Sequence, residues 1–260
     1  MNYDLLPNRA TYPSLKGKHV FITGGASGIG RALVEHFADQ GSLVSFVDIN
    51  ETAGKSVAEG IAKRGNPPAE FHRLDLHDVD ALQALIAGLG KKRGPITALV
   101  NNAANDDRHK LENVTSDYFD DRIAVNMKHQ LFAAKAVHPQ MKAAGGGSIV
   151  NFTSITWSVG DGDCVCYVTS KAAVFGMTRA LATELGPDRI RVNSIAPGWV
   201  MTERQVSLWL DEAGERQIAE RQALPGKLYP PDIARMALWL AADDSRMCSK
   251  QMFTVDGGWI

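Results

Sequence analysis

Cysteine is scarce in this chain: Cys164, Cys166 and Cys248 are the three among 260 residues, an odd number with no paired CxxC spacing. That excludes a disulfide framework and a thiolate zinc site, and predicts reduced thiols. The seven histidines are scattered and none forms an HExxH pair, so no metal is expected. An excess of one charge is lacking too. Lys and Arg number 28 against 29 Asp and Glu, mixed along the chain, for a formal net charge of -1. Such a surface offers no basic stripe to a run of phosphates or an anionic bilayer, so neither nucleic acid nor membrane is expected as a partner. No apolar run is long enough to span a bilayer, and residues 1–18, polar with Pro7 and Pro13, lack the apolar core of a secretory signal. The expected location is the cytoplasm. No internal repeat, low-complexity tract or Gly/Ser/Pro-rich linker interrupts the middle of the chain. With 45% hydrophobic residues, a single soluble domain over residues 1–260 is expected, residues 1–17 forming an N-terminal extension.

What the chain does have is a regular alternation. Short β-branched, apolar runs at His19–Thr23, Leu43–Asp48, Glu70–Leu76, Ala98–Asn101, Ser148–Thr153, Arg191–Ala196 and Gln251–Val255 read as strands. Between them, Gly28–Gln40, Glu51–Arg64, Val79–Lys92, Ser116–Ala144, Val165–Leu185 and Pro231–Ala242 read as helices. In the fifth, Val174, Met177, Leu181 and Leu185 line one face and Gly186-Pro187 supplies the stop. The pattern predicts an α/β fold: a Rossmann-like, doubly wound parallel sheet of seven strands with helices on both faces. In such a sheet ligands bind beyond the carboxyl ends of the strands, so the residues just after each strand matter most.

The first strand runs directly into Thr23-Gly24-Gly25-Ala26-Ser27-Gly28-Ile29-Gly30 and then into a helix. Glycines without Cβ let backbone approach a pyrophosphate, and the helix N-terminus attracts it. An ordinary glycine-rich turn is the alternative. The second strand ends in Val47-Asp48, 18 residues after Gly30. A carboxylate there accepts hydrogen bonds from an adenosine ribose and repels a 2′-phosphate, which favours NAD over NADP. Neither Ala26 nor Ser27 adds a positive charge to offset the repulsion, although Arg31 is near; Asp48 also has the option of opening a turn with Asn50.

Tyr167 and Lys171 are four apart in a predicted helix and so share a face. Bringing a phenol from a pKa of about 10 to near 7 takes roughly 4 kcal/mol of extra phenolate stabilisation, which a nearby ammonium and an oxidised nicotinamide can supply. Alone, that spacing is usually a surface pair. The ordered set changes the reading. The GxxxGxG loop with Thr23, Asp75-Leu76, Asn101-Asn102-Ala103-Ala104, Asn126, Ser154 lying 13 residues before Tyr167, Lys171, Pro197-Gly198 and Asp256-Gly257-Gly258 together resemble the short-chain dehydrogenase/reductase family across almost the whole chain. Ala104 departs from that family's usual glycine.

The resemblance implies a catalytic tetrad of Asn126, Ser154, Tyr167 and Lys171. Ser154 would hydrogen-bond the reacting oxygen, Tyr167 would take its proton, Lys171 would bind the nicotinamide ribose and lower the tyrosine pKa, and Asn126 would hold a relay water. It also implies NAD held by Gly24, Ser27, Gly28, Ile29, Gly30, Asp48, Ile49, Asp75, Leu76, Asn102, Ala103, Tyr167, Lys171, Pro197, Gly198, Val200 and Thr202.

Substrate clues lie in the loops. After the fourth strand comes the dense polar run Asn105-Asp106-Asp107-Arg108-His109-Lys110, and Trp157 and Trp199 follow motif residues, where indole faces suit the C–H side of a pyranose. A solvated loop and packing tryptophans are the bland alternatives. The stretch Asn101–Thr115, with residues 12–18, 176–182 and the segment after Pro197, resembles bacterial aldose 1-dehydrogenases of this family, D-xylose dehydrogenases among them. That implies NAD-dependent oxidation of the anomeric C1 hydroxyl of an aldopyranose such as D-xylose, L-arabinose, D-galactose or L-fucose to the lactone. The sugar contacts would be Asn105, Ser154, Trp157, Tyr167, Trp199 and Arg204, under a lid at residues 203–228. The resemblance further implies a homotetramer. The competing readings are an NAD(P)H-dependent reductase of a β-ketoacyl or other carbonyl compound, and a nucleotide-binding regulatory protein without chemistry.

Overall fold

The structure is a computed structural model and describes residues 10–260; the first nine residues of the expected extension lie outside the described residues. Seven strands form: β1 (His19–Thr23), β2 (Leu43–Asp48), β3 (Glu70–Arg73), β4 (Ile96–Asn101), β5 (Gly147–Phe152), β6 (Ile190–Pro197) and β7 (Met252–Val255). All pair in parallel, in the order β3-β2-β1-β4-β5-β6-β7. The helices are α1 (Gly28–Asp39), α2 (Glu51–Lys63), α3 (Val79–Arg93), α4 (Ser116–Ile123), α5 (His129–Ala143), α6 (Thr156–Val159), α7 (Val165–Leu185), α8 (Glu203–Leu208), α9 (Glu212–Arg221) and α10 (Pro230–Ala241).

A parallel sheet covered on both faces needs strands that are apolar throughout. In β1, His-Val-Phe-Ile-Thr is buried at every position. Val20 and Ile22 join the core under α1, α2 and α10, whereas Phe21 joins the core under α3, α5 and α7. Polar caps start the helices: Asn50, Asp78 and Thr115 accept the N–H groups of Ala53, Ala81 and Tyr118.

Two expected elements differ. The third strand stops at Arg73 rather than Leu76, because the Asp75 carboxylate accepts the His77 N–H at 3.0 Å and turns the chain. The single helix expected over Ser116–Ala144 is two helices joined by a π-helical turn at Ala124–Lys128, which contains Asn126. Such wide turns cluster at functional sites.

The sheet order reverses between β1 and β4, which opens a crevice at their carboxyl ends. Over that edge lies an excursion carrying α8 and α9, closed at its base where Val200 bridges Leu228 and the Met201 N–H donates to Leu228 O at 2.8 Å. At the opposite end, Pro13–Leu15 forms a 3-10 turn whose Leu15 is fully buried in the α1/α10 core. Replacing it, as Leu15→Ala, is expected to lower unfolding free energy by about 2–5 kcal/mol in chemical denaturation; a loss under half a kcal/mol would show that this turn is not part of the core.

Candidate active site

The glycine loop is shaped by what cannot fit there. A Cβ on Gly30 would lie 1.7 Å from Gly24 O, and one on Gly24, at φ +69°, would meet the Ala103 backbone at 2.8 Å. The loop is bolted to the end of β4. Thr23 Oγ1 accepts the N–H groups of Asn102 and Ala103, both at 3.1 Å, and the Asn102 amide donates to Thr23 O and Gly24 O at 3.1 and 3.0 Å. Ser27 begins α1 in extended conformation and caps none of its N–H groups among the described residues, so the first turn faces the crevice with donors to spare. At the end of β2, Asp48 accepts the Ala26 N–H at 3.0 Å and the Asn50 N–H at 2.9 Å. Asp48 thus opens a turn with Asn50, and the same carboxylate also faces the glycine loop. Arg31 donates to Glu35 at 3.1 Å instead of turning to Asp48.

One cavity of about 850 Å³ joins this loop to the ends of β4, β5 and β6. That is a usual size for a site enclosing a cofactor and a small substrate. Its wall contains Gly24, Ser27, Gly28, Ile29, Gly30, Asp48, Ile49, Asp75, Leu76, Asn102 and Ala103 at one end. Ser154, Tyr167, Lys171, Pro197, Gly198, Val200 and Thr202 line the other. Asn126 stands behind the wall, fully buried. Its side chain accepts the Asn105 N–H at 2.8 Å and donates to Asn105 O at 3.0 Å.

Lys171 is buried, donates to Phe152 O at 2.8 Å, and places Nζ 5.5 Å from the centre of the Tyr167 ring. Burial pushes its pKa from 10.5 down to about 7, with Asp106 opposing the shift. Ser154 Oγ accepts from the Thr156 N–H at 3.2 Å and the Thr156 hydroxyl at 3.1 Å. With its lone pairs used, the Ser154 proton is left to donate into the cavity. The tyrosine departs from expectation. Burial foremost, then the Asp106 carboxylate, raise Tyr167 above its ordinary value, while the Ser154 hydroxyl pulls it down. The ammonium expected to lower it is itself desolvated and near neutral pH only partly charged. Beneath, at the end of the wide turn, His129 is fully buried and pushed to about 3, mainly by burial and then by Lys171, so its imidazole is neutral.

The predicted sugar contacts divide. Asn105, Trp199 and Arg204 line the cavity. Trp157 does not: its indole stacks on Phe175 of α7 at 6.0 Å between centroids, outside the cavity. Its position after Ser154 begins α6, which turns the ring away from the crevice. Trp199 lies against Gly214 of α9. Arg204 is engaged by Asp106, at 3.2 Å, and Asp107. The polar run after β4 is therefore a hub rather than a solvated loop, because Asp107 also meets Arg122 at 3.3 Å and Arg108 covers the Trp209 ring at 5.6 Å. The sequence reading missed Asp106, Arg108, Gln205, Gln217 and Trp259 as lining residues. The first two stood in a flagged run; the others come from the excursion and the last strand's tail, where no local pattern points inward.

With this geometry, comparison with known proteins is specific. A family model described as Enoyl-(Acyl carrier protein) reductase matches residues 24–260. The chain belongs to the short-chain dehydrogenase/reductase family and is an oxidoreductase. Within it, the chain is 48% identical over 250 residues to D-xylose 1-dehydrogenase of Caulobacter vibrioides, covering 96% of this chain and 98% of that one. It is 43% identical to a probable galactose dehydrogenase of Rhizobium meliloti, covering 95% and 96%. A solved 7α-hydroxysteroid dehydrogenase complexed with NADH and 7-oxo glycochenodeoxycholic acid superposes with a TM-score of 0.90 at 31% identity, covering 95% of this chain and 96% of that one. Among the described residues, no cluster of His, Cys, Asp or Glu is placed to hold a metal, and no helix is long and apolar enough to cross a membrane.

Burying Lys171 has a measurable consequence. Below about pH 7 the folded and unfolded chains both bind its proton; between 7 and 10.5 only the unfolded chain does, so stability rises with pH across that window. Lys171→Met is expected to be more stable than the parent at pH 6–7, by on the order of 1–4 kcal/mol, with the advantage shrinking toward pH 10. An advantage independent of pH from 6 to 10 in denaturant titrations contradicts the buried, depressed lysine.

Proposed function

We propose that this protein oxidises the anomeric C1 hydroxyl of an aldopyranose to the lactone with NAD, Tyr167 acting as general base. The observation that carries the reading is one cavity joining a nucleotide-shaped loop to Ser154, Tyr167 and Lys171. It stands in a chain 48% identical to a D-xylose 1-dehydrogenase.

The residues present fit a dinucleotide. The cradle at Gly24 and Gly30 has no room for Cβ, and the uncapped start of α1 offers donors to a pyrophosphate. Asp48 and Ile49 suit the adenosine end, with Asp75 and Leu76 along the adenine. Lys171 and Tyr167 suit the nicotinamide ribose, and Pro197, Gly198, Val200 and Thr202 the nicotinamide itself. Bound there, NAD supplies the hydride acceptor and a positive ring. Asp48 makes the ribose site anionic, and Arg31 is paired with Glu35, so a 2′-phosphate meets repulsion without a partner.

Ser154 donates its remaining proton to the substrate oxygen and orients it. Tyr167 takes the hydroxyl proton as C1 loses hydride. Lys171 fixes the ribose and steadies the phenolate, and Asn126 keeps the wall at Asn105 in register. The excursion at 203–228 is the lid that keeps water out, with Asn105, Trp199 and Arg204 around the sugar. Exposed Leu131 on α5 and Val165 at the start of α7 give apolar surface for a homotetramer.

A panel of D-xylose, L-arabinose, D-galactose and L-fucose with NAD or NADP, followed by reduced-nicotinamide absorbance, tests the reading. NAD-linked turnover with at least one aldose is expected, and Tyr167→Phe is expected to lose roughly 100-fold or more in kcat while still binding NAD. A silent panel, or an undiminished phenylalanine variant, rejects it. Asp48→Ser is expected to shift the ratio of kcat/KM for NAD over NADP toward NADP by at least about tenfold, the effect of roughly 1.4 kcal/mol; an unchanged ratio removes Asp48 from cofactor choice.

A further inference from the structure

Hydride transfer as described has no task for His77, yet its ring is held between two carboxylates at the nucleotide end of the cavity. Residues 74–77 all line that end. They follow β3, a four-residue strand that pairs only with β2 at the edge of the sheet, so the sheet supports them from one side. Further support comes from α4. His77 Nδ1 lies 2.6 Å from Asp75 Oδ1, and Nε2 lies 2.9 Å from Oδ1 of Asp121, a residue of α4 found 44 positions further along the chain.

The acceptors decide the state of the ring. Asp75 Oδ1 also accepts the His77 backbone N–H at 3.0 Å, and Asp121 Oδ2 accepts from Arg122 Nε at 2.8 Å, so both carboxylates are ionised and have no proton to give. A neutral imidazole carries one N–H, and its other nitrogen would turn a lone pair toward an anion. Both contacts are hydrogen bonds only when both ring nitrogens donate, which is the imidazolium. His77 is accordingly raised above its ordinary value of 6.5, by the Asp75 hydrogen bond foremost, with partial burial opposing and the charges of Asp75 and Asp121 adding. The titratable and charged groups around it are Asp75 in its own loop, Asp121 and behind it Arg122 on α4, and His129 at the start of α5, which is neutral. Loss of the proton does not affect the two contacts equally. Asp75 keeps the His77 backbone N–H, whereas among the described residues Asp121 is tied to this loop through the imidazole alone.

We propose that His77 is a positioning residue for the cofactor: as an imidazolium it clasps the loop at residues 74–77 to α4 and holds Asp75 and Leu76 in place for the adenosine, and on losing its proton it releases α4 and NAD binds more weakly. By reciprocity, NAD binding favours the protonated clasp, so near neutral pH the protein takes up a fraction of a proton as it binds. The inference rests on the reading of this end of the cavity as the adenosine site, and it is independent of which sugar is oxidised.

The test is calorimetric titration of NAD into the whole protein from about pH 6 to pH 9, for the parent, His77→Gln and Asp121→Ala. Glutamine has no proton to lose, and alanine removes the far end of the clasp. Lys171 also titrates near 7 at the other end of the cavity, but that step is common to all three proteins and cancels in the comparison. The parent Kd is expected to rise across the range by about threefold more than that of either variant, the scale of one exposed ion pair. Both variants are expected to bind more weakly than the parent at pH 6 and to converge with it at pH 9, a pattern that general damage to the loop does not produce. Titrations near pH 7.5 in buffers of different ionisation heat count the protons, and the parent is expected to take up more than His77→Gln. An equal pH dependence in parent and His77→Gln, or one that Asp121→Ala retains in full, overturns the clasp. Should His77→Gln not fold, Asp121→Ala carries the same comparison. A parent that binds no NAD at any pH sinks the dinucleotide reading and the clasp with it, whereas NAD binding whose pH dependence ignores both substitutions sinks the clasp alone.

Discussion

The cross-link between Thr23 and the Asn102 segment governs the functional edge of this molecule. β1 and β4 are adjacent where the sheet changes direction, and their ends must part to leave a crevice. Four hydrogen bonds between Thr23, Gly24, Asn102 and Ala103 set how far they part. They also satisfy backbone groups that the ending strands leave unpaired inside the protein, where an unmade bond costs about 1–3 kcal/mol. The geometry propagates outward: Asn102 fixes the path of the loop, Asn105 locks to Asn126, and Asp106 meets α8. A nucleotide-shaped end and a chemical end thus share one rigid frame.

That frame encloses a costly group. A buried lysine whose pKa falls to about 7 sits in the core on a hydrogen bond to Phe152 O, beside the Tyr167 ring and in the field of Asp106, which only partly offset its burial. The arrangement weakens the fold and, on the proposed reading, readies the site, since an ammonium with one carbonyl partner has N–H groups left to donate to a ribose. The same burial lifts Tyr167, so the empty site is held in its protonated form. Stability given up for a prepared site is a common feature of enzymes.

How much was legible in the sequence follows from how local each signal is. The strand runs and the glycine loop are local, and the parallel sheet and crevice follow from them. Ser154, Tyr167 and Lys171 stand at strand-end or same-face helix positions, so their convergence was readable as well. Trp157 was not, because its direction depends on α6 turning toward Phe175, a choice no spacing encodes. The place of Asp106 in the cavity wall was hidden too: its partner Arg204 lies 98 residues along the chain, inside an excursion whose fold has no periodic signature. The break between α4 and α5 escaped detection because a π turn adds a residue without adding a glycine or proline to mark it.

That wide turn has a consequence for the two helices it joins. One residue of an α-helix occupies about 100° of rotation, so a single extra residue in the turn resets the phase between α4 and α5. α5 can therefore aim Ala133, Val137 and Met141 squarely at the sheet, while α4 swings Arg122 to the cavity rim and Asp121 toward His77. A straight helix over the same residues, once its apolar stripe was seated, would carry those two charges around its circumference and away from the crevice. The turn acts as a gear between them, letting core packing and rim chemistry be tuned independently along one continuous rod.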